Sequence, residues 1–421
     1  MNNNLRQIIY DMRTQPVIAW VTIIGTALSI FLIMTVVMLQ QVYLIPFAPE
    51  THRERMLYGC FFHVEEPASG NSSSASIGYD RAKQLYSNLE GVEEVSFMHK
   101  DIDNYDLKGT TGEAFSGSVR KTDEAFWRIY EYPLLAGRYY TPEEIEANSR
   151  VAVVSEGTAR RLFGGEHAVG QHFLLDHNDF EVIGVVKDAS RLATMAFGEV
   201  FVPIHTDGSE DYSDMGMGPF CAALLVKEGV DFESVRSQVK ARYAQADTEM
   251  APEGRNTVYH GSPFDQETVA TGLSGSNTTP DNTNEKILNW IIYAVLLLVP
   301  AINLSSMLHS RLRRRISDIG VRRAFGCTKG RIIRDIITEN LMVTLAGGLI
   351  GLGAGVLFAL FYDGLYTTED GDAVRPALSM ILNLKTTGIA FGACFILNLI
   401  SASIPAWQAA RVNPVNAINA K

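Results

Sequence analysis

The densest cluster of ionisable side chains in the sequence is basic. Arg311, Arg313, Arg314, Arg315, Arg322, Arg323, Lys329, Arg331 and Arg334 stand against only Asp318, Asp335 and Glu339. Arg314, Asp318 and Arg322 are spaced by four, so on a helix they share a face, and Asp318 ahead of Arg322 is the favourable order for an ion pair. Ile316 and Ile319 fall on another side of the same turns. Such a helix can offer apolar knobs and arginines to a groove on a soluble partner. The same residues also suit a solvated loop that only obeys the excess of positive charge on the cytoplasmic side of membranes. Other chemistry is thinly supported. His167, His172 and His177 recur every five residues in a block that reads as strand and turn, which alternates them between faces, so a metal site is not expected. His52, His63, His99 and His205 are scattered. The chain contains no Gly-x-Ser-x-Gly, no His-Glu-x-x-His and no Gly-x-x-x-x-Gly-Lys-Ser/Thr, so neither a hydrolase constellation nor a nucleotide-phosphate cradle is expected.

The elements that must position the basic stretch are four uncharged runs. The first is apolar from Val17 to Leu39, too long for a cleaved signal peptide and followed by no small-residue cleavage site, so it is expected to stay as an anchor. Others span 287–308, 341–362 and 386–407, each about the length that crosses 30 Å of hydrocarbon as helix. The basic loop, the N-terminal Arg6 and Arg13, and the C-terminal Arg411 and Lys421 then fall on the cytoplasmic side. Glu369, Asp370 and Asp372 suit the opposite face. The expected order is a cytoplasmic segment 1–16, spans 17–43 and 286–309 flanking an extracytoplasmic domain 44–285, and a cytoplasmic loop 310–340. Spans 341–362 and 386–407 follow, around a short outer loop 363–385, and the tail 408–421 is cytoplasmic. Gly347, Gly351 and Gly355, spaced by four, leave one face of the third span bare for close helix approach.

Residues 44–285 carry 39 Asp and Glu against 20 Lys and Arg, which disfavours nucleic acid and anionic lipid headgroups as partners. Cys60 and Cys221 both lie there, and whether they pair depends on geometry. Tyr79–Leu89 has helical spacing and Val92–Met98 reads as a strand. The order recurs with a strand at Cys221–Val226 and a helix at Phe232–Tyr243. Between them, about 121–202, lies a strand-rich block with strands at Val151–Val154 and Phe180–Val186 and a short helix at Glu156–Leu162 closed by Gly164 and Gly165. The expected fold is an α-helical membrane protein with four transmembrane helices plus an α+β extracytoplasmic domain, a split α/β subdomain with an inserted mostly-β subdomain. The Ser-rich stretch Gly70–Ser76 and the Gly, Ser, Thr and Asn-rich tail Ser262–Asn284 read as loops.

Three blocks carry a resemblance. RRRISDIGVRRAFGCTKGRIIRDIITEN at 313–340 is followed by LAGGLIGLGAG at 345–355. PLLAGRYYTPEE at 133–144, VAVVSEGTARRLFG at 151–164 and VIGVVKD at 182–188 form the second, and IPAWQAARVNPVNAI at 404–418 the third. Along nearly its full length the chain resembles the MacB/FtsX-type, type VII, permeases of ABC transporters. It departs from their pattern at Asp318, where Glu is usual, and at Phe325-Gly326-Cys327, where Leu or Val, Gly and Ala are usual.

The resemblance implies that Arg314, Arg315, Ile316, Asp318, Ile319, Gly320, Arg322, Arg323 and Phe325 belong to a coupling helix. A separate ATPase subunit, which binds ATP and Mg, would dock on it. It further implies a second permease chain, as a homodimer or heterodimer, and an inner-membrane location with both termini cytoplasmic. A periplasmic adaptor and an outer-membrane channel are partners that the resemblance brings with it. The implied activity is mechanotransmission: ATP hydrolysis works on the outer domain to expel or extract a peptide, lipid-linked or toxic substrate. A Lol-type lipoprotein-releasing permease and an FtsX-like regulator of a cell-wall hydrolase are the alternatives.

Overall fold

The computed structural model describes residues 16–41, 44–165, 167–206, 215–270 and 316–361, with isolated positions between 283 and 302 and between 388 and 411. They fall into two compact units. One comprises Val42–Thr283 with Asp363–Pro376, and the other Met1–Gln41, Asn284–Tyr362 and Ala377–Lys421.

In chain order, helix α1 is Pro16–Gln41. The large unit begins with β1 (Met56–Gly59), β2 (Phe61–Glu66), β3 (Asn71–Ser76), α2 (Tyr79–Tyr86) and β4 (Val92–His99). It continues with β5 (Asp103–Lys108), β6 (Ala114–Thr122), α3 (Phe126–Ile129), β7 (Leu134–Gly137), α4 (Pro142–Glu146), β8 (Val151–Ser155) and α5 (Glu156–Phe163). β9 (His172–Leu175), β10 (Asn178–Val186), β11 (Val200–Pro203), β12 (Phe220–Val226), α6 (Phe232–Met250), β13 (Asn256–Thr257), β14 (Phe264–Asp265) and α7 (Gln266–Ala270) complete it.

Six of these strands close into a ring. β5 pairs with β6, β6 with β11 in parallel, β11 with β8, β8 with β10 in parallel, β10 with β9, and β9 returns to β5. Closure leaves these strands without a free edge, and the inward residues Leu107, Val119, Val154, Phe173, Phe180, Val182 and Val200 form the core. Helix α5 packs Ala159 and Leu162 into the same core. Ser155 starts it by accepting from the Thr158 N–H, and Gly164 ends it at φ 73°, a left-handed conformation that costs glycine nothing. The core reaches back to Leu107, so the strands that build the barrel begin at Asp103.

The second half is a four-stranded antiparallel sheet in the order β4-β12-β1-β14, with α2 packed against β4, β12 and α6. Arg242 on α6 holds the end of α2 by donating to the carbonyls of Leu85 (3.1 Å) and Asn88 (3.1 Å). Cys60 and Cys221, which flank the Gly59↔Ala222 register pair of β1 and β12, form a disulfide. A small sheet, β13-β2-β3, stands beside this half. The barrel and the four-stranded sheet share one ladder pair, Met98↔Thr122 between β4 and β6. Beside it the buried Asp123 carboxylate accepts from Ser96 Oγ (2.7 Å) and from the N–H groups of Phe97 (2.7 Å) and Phe126 (3.1 Å).

Two stretches expected as loops are regular structure. Asn71–Ser76 is a strand paired with β2 over six residues, because a partner ladder compensates the poor strand propensity of serine. Phe264–Asp265 pairs with β1, and Asp265 caps α7 by accepting from the Thr268 N–H (2.9 Å), so 262–270 belongs to the folded unit. Residues 271–282 lie outside the described residues.

In the smaller unit, α8 is Ile316–Ala324 and α9 is Lys329–Phe361. Among the described residues one helical segment, Lys329–Phe358, is long and apolar enough by length and composition to cross a membrane, and Ile23–Val36 of α1 is a shorter apolar stretch. The expected spans 286–309 and 386–407 lie largely outside the described residues, as does the loop 363–385.

Candidate functional site

Helix α8 starts inside the basic stretch and stops at a turn built by its own sequence. Gly326 adopts φ 88°, the Cys327 N–H donates to the Arg322 carbonyl (3.0 Å), and the Gly326 N–H donates to the Arg323 carbonyl (3.1 Å). This is the Schellman arrangement, which satisfies carbonyls that the helix end leaves open. Arg322 and Arg323 occupy the last turn, where the helix dipole favours positive charge. Thr328 then begins α9, its carbonyl accepting from the N–H groups of Arg331 (3.1 Å) and Ile332 (3.3 Å). A rigid corner thus separates the two helices.

One side of α8 is fixed. Ile319 and Cys327 pack against a cluster of Ile332 and Ile336 from α9 with Ala402 and Ala406. Gly320 is buried and Ile316 half-buried. The opposite side carries exposed apolar groups: Val321 is 42% exposed and Phe325, one turn on and so on the same face, is 88% exposed. Arg322 is exposed beside them and Arg323 is half-buried. Ile319 is therefore an internal anchor and not a knob facing outward, because the i, i+4 pair Ile332 and Ile336 offers it an apolar seat. Asp318 lies in α8, with its side chain outside the described residues. Arg314 and Arg315 also lie outside them. The sequence signal for Val321, Ile332 and Ile336 is the spacing of four in the pairs Val321–Phe325 and Ile332–Ile336.

Gly347 and Gly351 of α9 face α1. A Cβ on Gly347 would lie 2.9 Å from Thr26 Cβ and 3.0 Å from the Ile23 carbonyl oxygen, and one on Gly351 would collide with the Ala27 carbonyl oxygen. Gly355 is buried, and further along Phe31 and Phe358 meet edge to face with ring centres 5.7 Å apart. Gly353, off this face, has open space around it. The helix pair that carries α8 is thus set by backbone-to-backbone approach.

His63 and His260 of the large unit meet edge to face with ring centres 4.9 Å apart. His172 lies 2.9 Å from Asp179 across the β9–β10 pair, and His177 sits exposed on the turn, 3.9 Å from Asp176. Among the described residues no group of three or more His, Cys, Asp or Glu side chains is arranged to hold a metal ion.

Comparison with known proteins bears on both units. The MacB-like periplasmic core domain family matches residues 19–242, and the FtsX-like permease C-terminal family matches residues 290–414. The chain is 22% identical over 378 residues to the uncharacterized ABC transporter permease YknZ of Bacillus subtilis, covering 84% of this chain and 87% of that one. It is 26% identical over 304 residues to the macrolide export ATP-binding/permease protein MacB of Wolinella succinogenes, covering 72% of this chain. It is also 26% identical over 300 residues to the pyoverdine export ATP-binding/permease protein PvdT of Pseudomonas aeruginosa, covering 70%. The chain spans 43% and 41% of those two relatives. Among solved structures, the periplasmic region of MacB from Actinobacillus actinomycetemcomitans is similar at a TM-score of 0.37 and 14% identity, over 53% of this chain and 95% of that one.

Proposed function

Because the chain belongs to the MacB-like, FtsX-like family of ABC transporter permeases, we propose that α8 and its Gly326 corner are the surface on which a separate ATPase subunit docks. The family places it as a type VII permease of the inner membrane with a periplasmic α/β domain, working with an ATPase. The MacB and PvdT relatives are named ATP-binding/permease proteins and are more than twice the length that this chain matches. A chain with no phosphate-cradle motif fits the permease part of such a protein, with MgATP held by the partner.

The observation that carries this reading is Phe325, 88% exposed at a rigid corner whose other side is anchored through Ile319 and Cys327. A large apolar side chain held out beside arginines is stable in water only at a cost, and a groove on a partner removes that cost. Two ATPases require two permease chains, so the working unit is a dimer. Four spans, with both termini and α8 on the cytoplasmic side, bring the basic stretch to the ATPase. Relatives named for macrolide and pyoverdine export favour extrusion of a small toxic or amphipathic compound from the periplasmic side over release of a lipoprotein or control of a hydrolase.

The test is affinity purification of the full chain in mild detergent. We expect a Walker-type ATPase to accompany it and to be lost at least tenfold with Phe325→Glu, while the melting temperature holds. Full retention of the ATPase by that variant, or its absence from the parent preparation in several detergents, sinks the docking assignment.

A further inference from the structure

The small sheet β13-β2-β3 uses its two faces differently. Alternation along β2 turns Phe62 toward α6, where its ring lies 5.8 Å from that of Tyr243, and turns Phe61, His63 and Glu65 the other way. The ladder with β13 holds two residue pairs, Asn256↔Glu65 and Thr257↔Val64, and the Val258 N–H extends it by donating to the His63 carbonyl (3.1 Å). Continued in that register, Tyr259 falls on the α6 side, its ring 5.3 Å from that of Tyr243, and His260 falls on the side of His63. The two imidazoles touch there, with ring centres 4.9 Å apart and planes at 73°.

This contact suits neutral rings. His63 is 4% exposed and neither of its ring nitrogens makes a hydrogen bond, so a positive charge on it is deprived of water. The charged groups around the pair can match one proton and not two. Glu65 Oε1, on a half-exposed side chain, lies 3.5 Å from His63 Nε2. On the same face Lys100, 3.8 Å from Asp101, sits over the Phe61 ring and brings a like charge. β3 sets Ser72, Ser74 and Ser76 opposite Glu65, His63 and Phe61 and brings no charge. On the α6 side Asp247 accepts from the Thr257 N–H (2.7 Å), and Arg255 is paired with Glu66 (3.6 Å) and Glu253 (3.0 Å). Arg236 and Asp265 are paired with each other (3.4 Å). Burial, and then the nearness of His63, hold the His260 imidazole below its ordinary 6.5, while Glu65 pulls the other way.

We infer that His63 and His260 form an acid-released latch that fastens residues 256–261 to β2. With both rings neutral the latch is shut. One proton can be matched by Glu65, but a second puts two imidazolium rings in contact with no further unpaired carboxylate facing them among the described residues, and the rings part. β13, fastened by two residue pairs, leaves with His260. A base that the fold holds neutral contributes in full above its ordinary 6.5, and the contribution is lost as the pH falls below it. A periplasmic domain meets the acidity of the medium, and histidine is the side chain whose charge ordinarily changes between about pH 5 and 8.

The test is hydrogen–deuterium exchange of the full chain in detergent, read by mass spectrometry at pH 7.5 and pH 5.5 with rates corrected for intrinsic exchange. Exchange reports this segment alone, so titrating groups elsewhere in the unit do not enter. Residues 256–261 should lose protection about tenfold at pH 5.5, the limit for one imidazole of ordinary 6.5 that takes its proton only after opening, while Phe220–Val226 of β12 keeps its protection. His260→Phe keeps a ring against His63 but cannot titrate, and should hold the segment equally at both pH values. A change under twofold in the parent, or a variant that opens with acid as the parent does, overturns the latch. Should His260→Phe fail to fold, exchange at the imidazole C2 position of the parent decides: His260 should titrate below 6.5, and an ordinary midpoint there overturns the inference.

Discussion

The two units hold their parts together by opposite means. In the large unit the decisive contacts are polar and buried: Arg120, fully buried, is bonded to the carbonyls of Phe197, Thr194 and His99, and Arg53 is closed by Glu50 and two further carbonyls. In the small unit the decisive contact is an absence of side chains, with Gly347 and Gly351 letting α9 lie against the backbone of α1. The hydrophobic effect already draws elements together in water, so specific polar partners are needed to say which way they sit. Hydrocarbon is as apolar as leucine, so if α1 and α9 are the membrane spans we propose, close approach itself must supply the attraction.

The sharpest way to break this contrast is at Gly351. Gly351→Leu would drive a side chain into the Ala27 carbonyl and force the helices apart, an effect we expect to exceed about 5 kcal/mol and to read as loss of folded protein in detergent thermal melts. Gly353→Leu, two residues on with open space, should melt like the parent. Equal damage from both would show that glycine content, and not the α1 contact, matters. Next in size is Glu50→Ala, which leaves the Arg53 guanidinium buried without its carboxylate and should cost about 3–5 kcal/mol of stability.

Asp123 sharpens the contrast through pH. Burial raises its carboxyl to about 7 from an ordinary 3.8, against three hydrogen bonds that favour the ionised form. An acid whose folded-state pKa is raised is most stabilising while protonated, so its contribution is full below about 4 and is lost as the pH climbs through about 7. Melting temperature should therefore fall between pH 5 and pH 8. Asp123→Asn should flatten that slope and cost about 1–3 kcal/mol, because the amide nitrogen faces a donor. A parent that melts more easily at pH 5 than at pH 8 would show that the bonds from Ser96, Phe97 and Phe126 outweigh burial.

What was legible in the sequence follows the same divide. Local periodicity marked the helix that starts at Tyr79, the strand at Phe180–Val186 and the Ser155-to-Gly164 helix, since each is set by its own residues and caps. Pairing is a property of two distant segments, so the ladder that makes a strand of Asn71–Ser76 was invisible in a run of serines, and the β1 partner of Phe264 in a tail rich in Gly and Ser. The closed ring and the bonds that Glu50 accepts from the N–H groups of Met195 and Ala196 were hidden for that reason too. At the candidate site, charge and spacing identified the helix, but the face it turns inward depended on Ile332 and Ile336 beyond the corner.

The smallest expected effect on stability is also the one that tests the function most directly. Phe325 touches little of its own chain, so Phe325→Ala should change the melting temperature by less than the equivalent of about 0.5 kcal/mol, the usual range for exposed positions. Ile319→Ala, a few residues away, removes part of the cluster that fixes α8 and should cost about 1–2 kcal/mol, less than a fully buried truncation because the site is only partly covered. If α8 is a docking surface, the order reverses when ATPase binding is measured on the full chain. Phe325→Ala should then weaken capture at least tenfold, as loss of a central apolar anchor does at a protein interface. Ile319→Ala should weaken it only as far as α8 loosens. Should the two variants lose ATPase in proportion to their stability, the exposed face of α8 carries no more of the partner than its anchored side, and Phe325 is an exposed residue without a groove to fill.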